Sequence, residues 1–435
     1  MTSYSPAVQR KVALAACFGS FLEWYDFLTF ASLATIFGKL FFPADDPVAS
    51  LLASLATFGV GMVVRPLGAA LFGSFGDRYG RRIVFITTIA VMGVATFAVG
   101  LLPVYATAGF VAPLMLVGLR LIQGLAMGGE IGGAIVYLTE HAPLERRGTI
   151  TSVLQLMGPL GVIASMFQIV LLQHWLSDAQ FLDWGWRVPF LLSAVLLAIS
   201  LKSRIALHES PVFKSLSDNH QVAKTPLRDC LADPLTRKRM LLLLFCISSG
   251  GSLLFFSSQV YAPVFLKEVA GMDSTLAGEL SIAATLALFP LTILAGWLSD
   301  RIGRRPVLLA GLLLGAVGVM PVYWGLLNFG GAHLNGFVVV AMLLVLVTAV
   351  ALITGPQTAA LAELFPARTR YSAVGLPHNL AAGWIGGMSP FMVTLIAQQA
   401  GSPLAGLLYP TFILSLAFVV GWFYLPETRG TDLGK

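Results

Sequence analysis

Of the 435 residues, 57% are hydrophobic and 11% are charged. Soluble globular chains carry roughly 25% charged residues, so that class is excluded. The net charge of +6 gives no reason to invoke nucleic acid, and three scattered cysteines, Cys17, Cys230 and Cys246, form neither a disulfide framework nor a metal-ligand spacing.

Apolar runs of about 20 residues, the length that spans a bilayer as a helix, recur along the chain. The first, 14–37, follows Arg10 and Lys11. It is too long for a signal peptide and carries Glu23 and Asp26, so it reads as an uncleaved first span. Runs at 50–73, 83–102, 110–139, 148–173 and 187–203 follow. Residues 204–238 are polar and basic, with Pro211, Pro226 and Pro234, and read as a cytoplasmic linker. Six further runs occupy 239–266, 275–298, 307–327, 336–360, 373–399 and 404–425. The expected fold is an all-α membrane protein of twelve transmembrane helices. Residues 1–203 form an N-terminal six-helix bundle and residues 239–435 a C-terminal one. On this topology 22 of the 27 Lys and Arg fall on one side of the membrane, and only Lys39, Arg187 and Lys267 on the other. Arg65 and Arg120 remain inside. The crowded side is cytoplasmic by the positive-inside rule, and both termini with it.

A ten-residue stretch occurs twice. Gly73-Ser-Phe-Gly-Asp77-Arg78-Tyr-Gly80-Arg81-Arg82 is matched, 223 residues on, by Gly296-Trp-Leu-Ser-Asp300-Arg301-Ile-Gly303-Arg304-Arg305. Glu140, Pro143 and Arg147 match Glu363, Pro366 and Arg370 at the same offset. Two separate signals at one offset mark an internal duplication whose halves run in the same direction, which makes the two bundles pseudo-symmetric.

Twelve spans as six plus six, with this turn after spans two and eight, resemble the major facilitator superfamily over the whole chain. Finer motifs resemble its metabolite:proton symporter family: Phe21-Leu-Glu23-Trp-Tyr-Asp26-Phe, Arg65-Pro66-Leu-Gly68, Arg120-Leu-Ile-Gln123-Gly124, Gly128-Gly129-Glu130, Trp184-Gly-Trp-Arg187-Val-Pro189-Phe and Glu363-Leu-Phe-Pro366. That family carries small organic acids and zwitterions such as ketoglutarate, citrate, shikimate, proline and betaine. His378 stands before Asn379 where the family usually has an aromatic. The resemblance implies a proton-coupled symporter of a bacterial inner membrane, monomeric, working by alternating access. Its partners would be a small organic acid, protons and the lipid bilayer, with no cofactor beyond the proton gradient.

The candidate residues fall into three groups. The turns are the first. The resemblance gives Asp77, Arg78, Arg81, Asp300, Arg301 and Arg304 a gating role on the cytoplasmic side. Glu140 with Arg146 or Arg147, and Glu363 with Arg370, would complete the latch. The bland alternative, a topogenic basic loop, needs basic charge but not the fixed Gly and Asp spacing.

The intramembrane charges, Glu23, Asp26, Arg65, Arg120 and Glu130, are the second group. Each costs at least ~2.5 kcal/mol at mid-membrane and needs a pathway or a partner. Glu23 and Asp26 share a helix face, as do Arg120, Gln123 and Glu130. Asp26, with Glu23 and Glu130 behind it, is the candidate for proton coupling, because a carboxyl that alternates between apolar and arginine-flanked settings can load and release a proton. Arg120 with Gln123, and Arg65, are candidates for the substrate's carboxylates, since a guanidinium stays charged and matches a carboxylate bidentately. The alternative is that these acids and arginines neutralise one another as structural pairs.

The third group lies in the second half, which has no charge at depth. Its polar candidates are Tyr261, His378 and Asn379, with a serine cluster on span seven. No phosphate-binding Gly-Lys-Ser loop and no nucleophile elbow occurs, so no enzyme is expected. A di- or tricarboxylate is preferred over a zwitterion. A drug:proton antiporter is the rival suggested by Met157-Gly158-Pro159-Leu-Gly161, and a sugar porter is the rival suggested by Glu209-Ser210-Pro211 and Pro426-Glu427-Thr428-Arg429-Gly430.

Overall fold

The computed structural model describes residues 6–43, 47–331 and 334–434. The side chains of Arg10 and Lys11, and Lys435 itself, lie outside what is described. Among the described residues every regular element is a helix, and no strand occurs. The first six long helices are α1 (Pro6–Ser32), α2 (Pro47–Tyr79), α3 (Arg81–Leu101), α4 (Val111–His141), α5 (Leu144–Trp175) and α6 (Gly185–Ile205). The second six are α7 (Pro234–Glu268), α8 (Leu276–Ile302), α9 (Arg304–Phe329), α10 (Gly336–Glu363), α11 (Arg370–Ala400) and α12 (Ala405–Tyr424). Among the described residues, eleven helices are long and apolar enough to cross a membrane. The remaining one, α1, carries Glu23 and Asp26 and lies where the first span was expected.

Contacts group the chain into two compact units. One is residues 1–141 with 157–227, and the other is residues 142–156 with 228–435. The start of α5, Arg147–Gln155, thus belongs with the second unit, where it packs on α8 and α10. The segment between α6 and α7 holds two short helices, Pro211–Asp218 and Pro226–Ala232. Asp233 caps α7 by accepting from the Thr236 hydroxyl at 2.6 Å and its backbone N–H at 2.9 Å, which holds the carboxyl below its usual range.

In the first unit, α2 and α4 pack with almost no side chain between them. A Cβ at Gly128 would lie 2.0 Å from the carbonyl oxygen of Arg65, and one at Gly124 would lie 2.2 Å from that of Gly61. This is close small-residue packing of membrane helices. It explains the glycine-rich flank of α4 and sets Arg65 and Arg120 at a fixed spacing.

At the other end of α1, Phe30, Phe37, Phe41, Trp186 and Phe190 form an aromatic core. The Phe37 and Trp186 rings meet edge to face at 5.4 Å. Arg187 donates to the carbonyls of Gly100 at 2.9 Å and Leu102 at 2.6 Å, capping the end of α3. The Trp-Gly-Trp-Arg motif is therefore an anchor for this end of the unit.

In the second unit, α7 and α11 contain π-helical stretches at Leu243–Ser248, Phe256–Tyr261 and Ala381–Gly386. Such wide turns are rare and often mark functional sites. Here they lie on the helices that carry Ser248, Tyr261, His378 and Asn379.

Candidate functional site

Away from the repeated turns, the buried charges described in the first unit form three acid–arginine pairs of different quality. Glu130 and Arg204 make the tightest. Both are fully buried, with two guanidinium nitrogens on the two carboxylate oxygens. The Thr88 hydroxyl donates to the same carboxylate at 2.7 Å. Arg204 also donates to the Phe85 carbonyl and stacks on its ring at 3.5 Å. Gly19 makes room, since a Cβ there would lie 1.5 Å from the guanidinium.

This corrects the placement of Arg204, expected in the basic cytoplasmic linker. It ends α6 with its side chain turned into the bundle, so Arg65 and Arg120 are joined by a third buried arginine. The reason is Glu130, which needs a cation once it leaves water. The sequence shows Arg204 only at the ragged end of an apolar run, where cations usually face solvent.

Asp26, Arg120 and Gln123 make a looser cluster. Gln123 Nε2 donates to Asp26 Oδ2 at 2.9 Å and to Thr96 Oγ1 at 3.0 Å. Arg120 Nη1 lies 3.7 Å from Asp26 Oδ2, beyond hydrogen-bond reach, and its guanidinium sits 3.7 Å from the centre of the Phe30 ring. Among the described residues, Asp26 Oδ1, Gln123 Oε1, and Arg120 Nε and Nη2 have no hydrogen-bond partner, although all are buried. Glu23 and Arg65 form the third pair, at 3.7 Å, with both Glu23 oxygens likewise without a hydrogen-bond partner among the described residues.

Around Asp26, the Tyr25 hydroxyl donates to Gln168 at 2.6 Å, and Thr29 donates to Ser165 at 2.9 Å, tying α1 to α5. Gly158 and Gly161 face Trp24, with a Cβ at Gly161 falling 2.8 Å from its Cβ. Close approach of α1 and α5 accounts for the small residues of the Met157–Gly161 stretch.

The repeated turns are built alike. Gly80 and Gly303 have φ of +116° and +110°, which side-chain-bearing residues rarely adopt. The reversal frees the first N–H groups of the next helix. Glu209 accepts from the backbone N–H of Arg81 and Arg82 at 3.1–3.2 Å. Glu427 accepts from those of Arg304 at 2.8 Å and Arg305 at 3.1 Å. Arg81 pairs with Glu140 at 2.7 Å and with Asp77 at 3.8 Å, and Ser210 donates to Glu140 at 2.6 Å. Arg304 pairs with Asp300 at 2.6 Å and with Glu363 at 3.3 Å, and Thr428 donates to Glu363 at 2.8 Å.

Glu209-Ser210 and Glu427-Thr428 are thus equivalent parts of one device. They escape the 223-residue register because they lie 218 residues apart, the segments leading to them differing in length.

Within the first unit Glu140 meets Arg81. One expected pairing of the second unit differs. Glu363 meets Arg304, and also Arg147 at 2.9 Å, whereas Arg370 donates to the carbonyls of Ala362, Phe365 and Leu433 at 3.0–3.1 Å. Arg147 reaches Glu363 because it lies in the segment that folds with the second unit. There Asp300 also accepts from the backbone N–H of Gly148 and Thr149, both at 2.8 Å, and from the Thr149 hydroxyl at 2.7 Å. A carboxylate on a helix N-terminus is favourable in charge and in hydrogen bonding. Arg78 and Arg301 are exposed and lie over Tyr79 and Trp297, at 5.0 and 4.1 Å from the ring centres.

In the second unit, His378 Nδ1 lies 2.9 Å from the Ser248 hydroxyl, and Asn379 donates to the Gly375 carbonyl at 2.9 Å. Tyr261 is buried with its ring 5.7 Å from that of Tyr323.

The model of the family described as "Sugar (and other) transporter" matches residues 12–241 and 228–435. The inner membrane metabolite transport protein YhjE of Escherichia coli (strain K12) is 36% identical over 410 residues, 93% of this chain and 92% of that protein. The shikimate transporter of the same strain is 34% identical over 404 residues, covering 90% and 89%. Its proline/betaine transporter is 32% identical over 418 residues, covering 95% and 82%. Among solved structures, the MFS (major facilitator superfamily) proton:xylose symporter XylE superposes with a TM-score of 0.81 at 18% identity, over 99% of this chain and 98% of that one. With its helices, repeated turns and relatives of the metabolite-symporter type, the chain belongs to the sugar (and other) transporter family of the major facilitator superfamily. It is a multi-pass membrane transporter and not an enzyme.

Proposed function

We propose that the protein is a proton-coupled symporter that imports a small organic acid, a di- or tricarboxylate by preference, across a bacterial inner membrane. Both termini face the cytoplasm, and the monomer is the working unit. The observation that carries this reading is the incompletely bonded cluster of Asp26, Arg120 and Gln123. Buried polar groups are normally hydrogen-bonded, and those left over call for a functional explanation. A substrate carboxylate would satisfy the two spare guanidinium nitrogens of Arg120. Asp26 at 3.7 Å would then exchange its arginine for a proton. Binding of the acid and protonation of Asp26 reinforce each other, because both answer to one cation. Tyr261, His378, Asn379 and Arg65 are proposed as further substrate contacts, and Glu23 as a secondary proton acceptor. The Asp77 and Asp300 turns, with Arg81, Arg304, Glu140, Arg147, Glu363 and Arg370, are the proposed gate of alternating access.

A zwitterion of the proline or betaine kind is the second reading, favoured by the proline/betaine relative at 32% identity. Its carboxylate would use Arg120, and its ammonium Asp26 or the face of Trp24. The test is uptake into proteoliposomes under an imposed pH gradient. Shikimate, ketoglutarate, citrate, proline, betaine and xylose would be offered in turn. Accumulation of an organic acid that collapses with the gradient is expected. Accumulation of betaine or proline alone selects the second reading, and accumulation indifferent to pH removes proton coupling.

A further inference from the structure

A groove of about 570 Å³ lies on the surface of the second unit, where the start of α7 meets the end of α12. Its walls are apolar, formed by Leu241 and Phe245 of α7 and Leu416 and Val420 of α12. One end carries Lys238 and Arg239, and no lining residue is acidic. Arg239 is held in place by donating to the Leu364 carbonyl at 2.8 Å, and the Lys238 ammonium lies 5.3 Å from the centre of the Tyr424 ring. Trp422, Phe423 and Tyr424 end α12 exposed, as aromatic side chains do at the headgroup level of a bilayer. None of the groove's residues takes part in the buried pairs, the turns or the polar cluster of the second unit.

We infer that this groove binds one anionic phospholipid from the leaflet at the basic end of the bundle. The phosphate sits against Lys238 and Arg239, and one acyl chain lies along Phe245, Leu416 and Val420. From Tyr424 to Leu416, α12 descends ~12 Å, most of the way to the middle of a hydrocarbon core ~30 Å thick. The wall therefore begins at the headgroup level and follows a chain inward. Asp233 lies within electrostatic reach of Arg239 but does not line the groove, so the two lining cations favour a net-negative headgroup over a zwitterionic one, whose own ammonium would meet the same cations. A free phosphate ester would gain the cations but nothing from the apolar walls. Basic pockets beside membrane helices on the cytoplasmic side are suited to anionic headgroups in this way.

Native mass spectrometry of the purified full chain, in detergent containing equal phosphatidylglycerol and phosphatidylcholine, tests the assignment. One phosphatidylglycerol should be retained in preference to phosphatidylcholine. Lys238→Gln should lower that retention about fivefold, the effect of removing one cation near the headgroups. Leu416→Trp, which fills the groove and leaves every charge in place, should lower it as well. Equal retention of the two lipids by the wild type would overturn the site. So would wild-type retention of phosphatidylglycerol by either variant, or its displacement by excess soluble glycerol 3-phosphate. Unchanged gel-filtration profiles of both variants keep misfolding out of the comparison.

Discussion

Glu130–Arg204 and Asp26–Arg120 lie in the same helical unit, and each joins a carboxylate to an arginine out of water. The first is nearly closed: both carboxylate oxygens are met by guanidinium nitrogens, the Thr88 hydroxyl, the Phe85 carbonyl and the Phe85 ring add to it, and Arg204 Nε alone of the pair's polar atoms lacks a hydrogen bond among the described residues. The second leaves Asp26 Oδ1 and two of the three Arg120 nitrogens without hydrogen bonds among the described residues. Burial is the same for both, so burial does not distinguish them. Satisfaction does. A closed pair has no capacity to receive a ligand or exchange a proton without breaking, whereas an open pair has both. Glu130, a proton-coupling candidate on its charge and position, sits in the closed pair, and Asp26, the proposed proton-coupling residue, in the open one.

The largest expected effect breaks the closed pair. Arg204→Ala or Glu130→Gln leaves an uncompensated buried group and should cost roughly 3–5 kcal/mol, read as a large fall in thermal stability in detergent. Gly19→Ala should cost a similar amount by expelling the guanidinium, and a melting temperature within a degree of wild type would show that Arg204 is not seated there. At the open pair the balance reverses. Asp26→Asn should cost less than half as much stability as Glu130→Gln yet abolish accumulation driven by a pH gradient, while downhill counterflow continues. Retained accumulation would make Asp26 a structural partner too, and the contrast would disappear.

Arg120→Gln should weaken substrate binding about 30-fold or more, the range expected when one side of a buried charged hydrogen-bonded contact is removed. Arg120→Lys should recover little, because the planar fork is gone. Calorimetry that returns wild-type affinity for folded Arg120→Gln would remove it from the binding site.

The smallest effect concerns the turns. Asp300→Asn keeps the shape but weakens three charge-assisted bonds to Gly148 and Thr149, at ~1–2 kcal/mol in total. Transport turnover should fall several-fold for Asp300→Asn, and for Asp77→Asn, with substrate affinity held within about threefold. Full turnover in both would leave the turns without a gating role.

The turns also show where sequence reading reaches its limit. Asp77, Gly80, Arg81 and Glu140 and their repeats could be matched because duplication keeps their spacing. Their glutamate caps, Glu209 and Glu427, sit five residues out of that register and are visible as motifs but not as parts of the turn. Arg147 could be paired on paper with Glu140, its near neighbour in the chain, and only packing gives it to Glu363. The π-helical turns of α7 and α11 leave no pattern in composition or hydropathy, because apolar helices of either pitch share the same residues.

Composition and periodicity by themselves determined that the chain is a twelve-helix membrane protein built by duplication. A bilayer requires long apolar helices, and a repeated supersecondary unit repeats its turn residues. The sequence also singled out which charges would be costly, since a charge inside an apolar run stands out whatever its partner. Tertiary structure alone decided which acid met which arginine, and how completely. A hydrogen bond needs atoms within about 3 Å, and that distance is set by the approach of α2 to α4, by the space at Gly19, and by the turn of α6 that carries Arg204 inward.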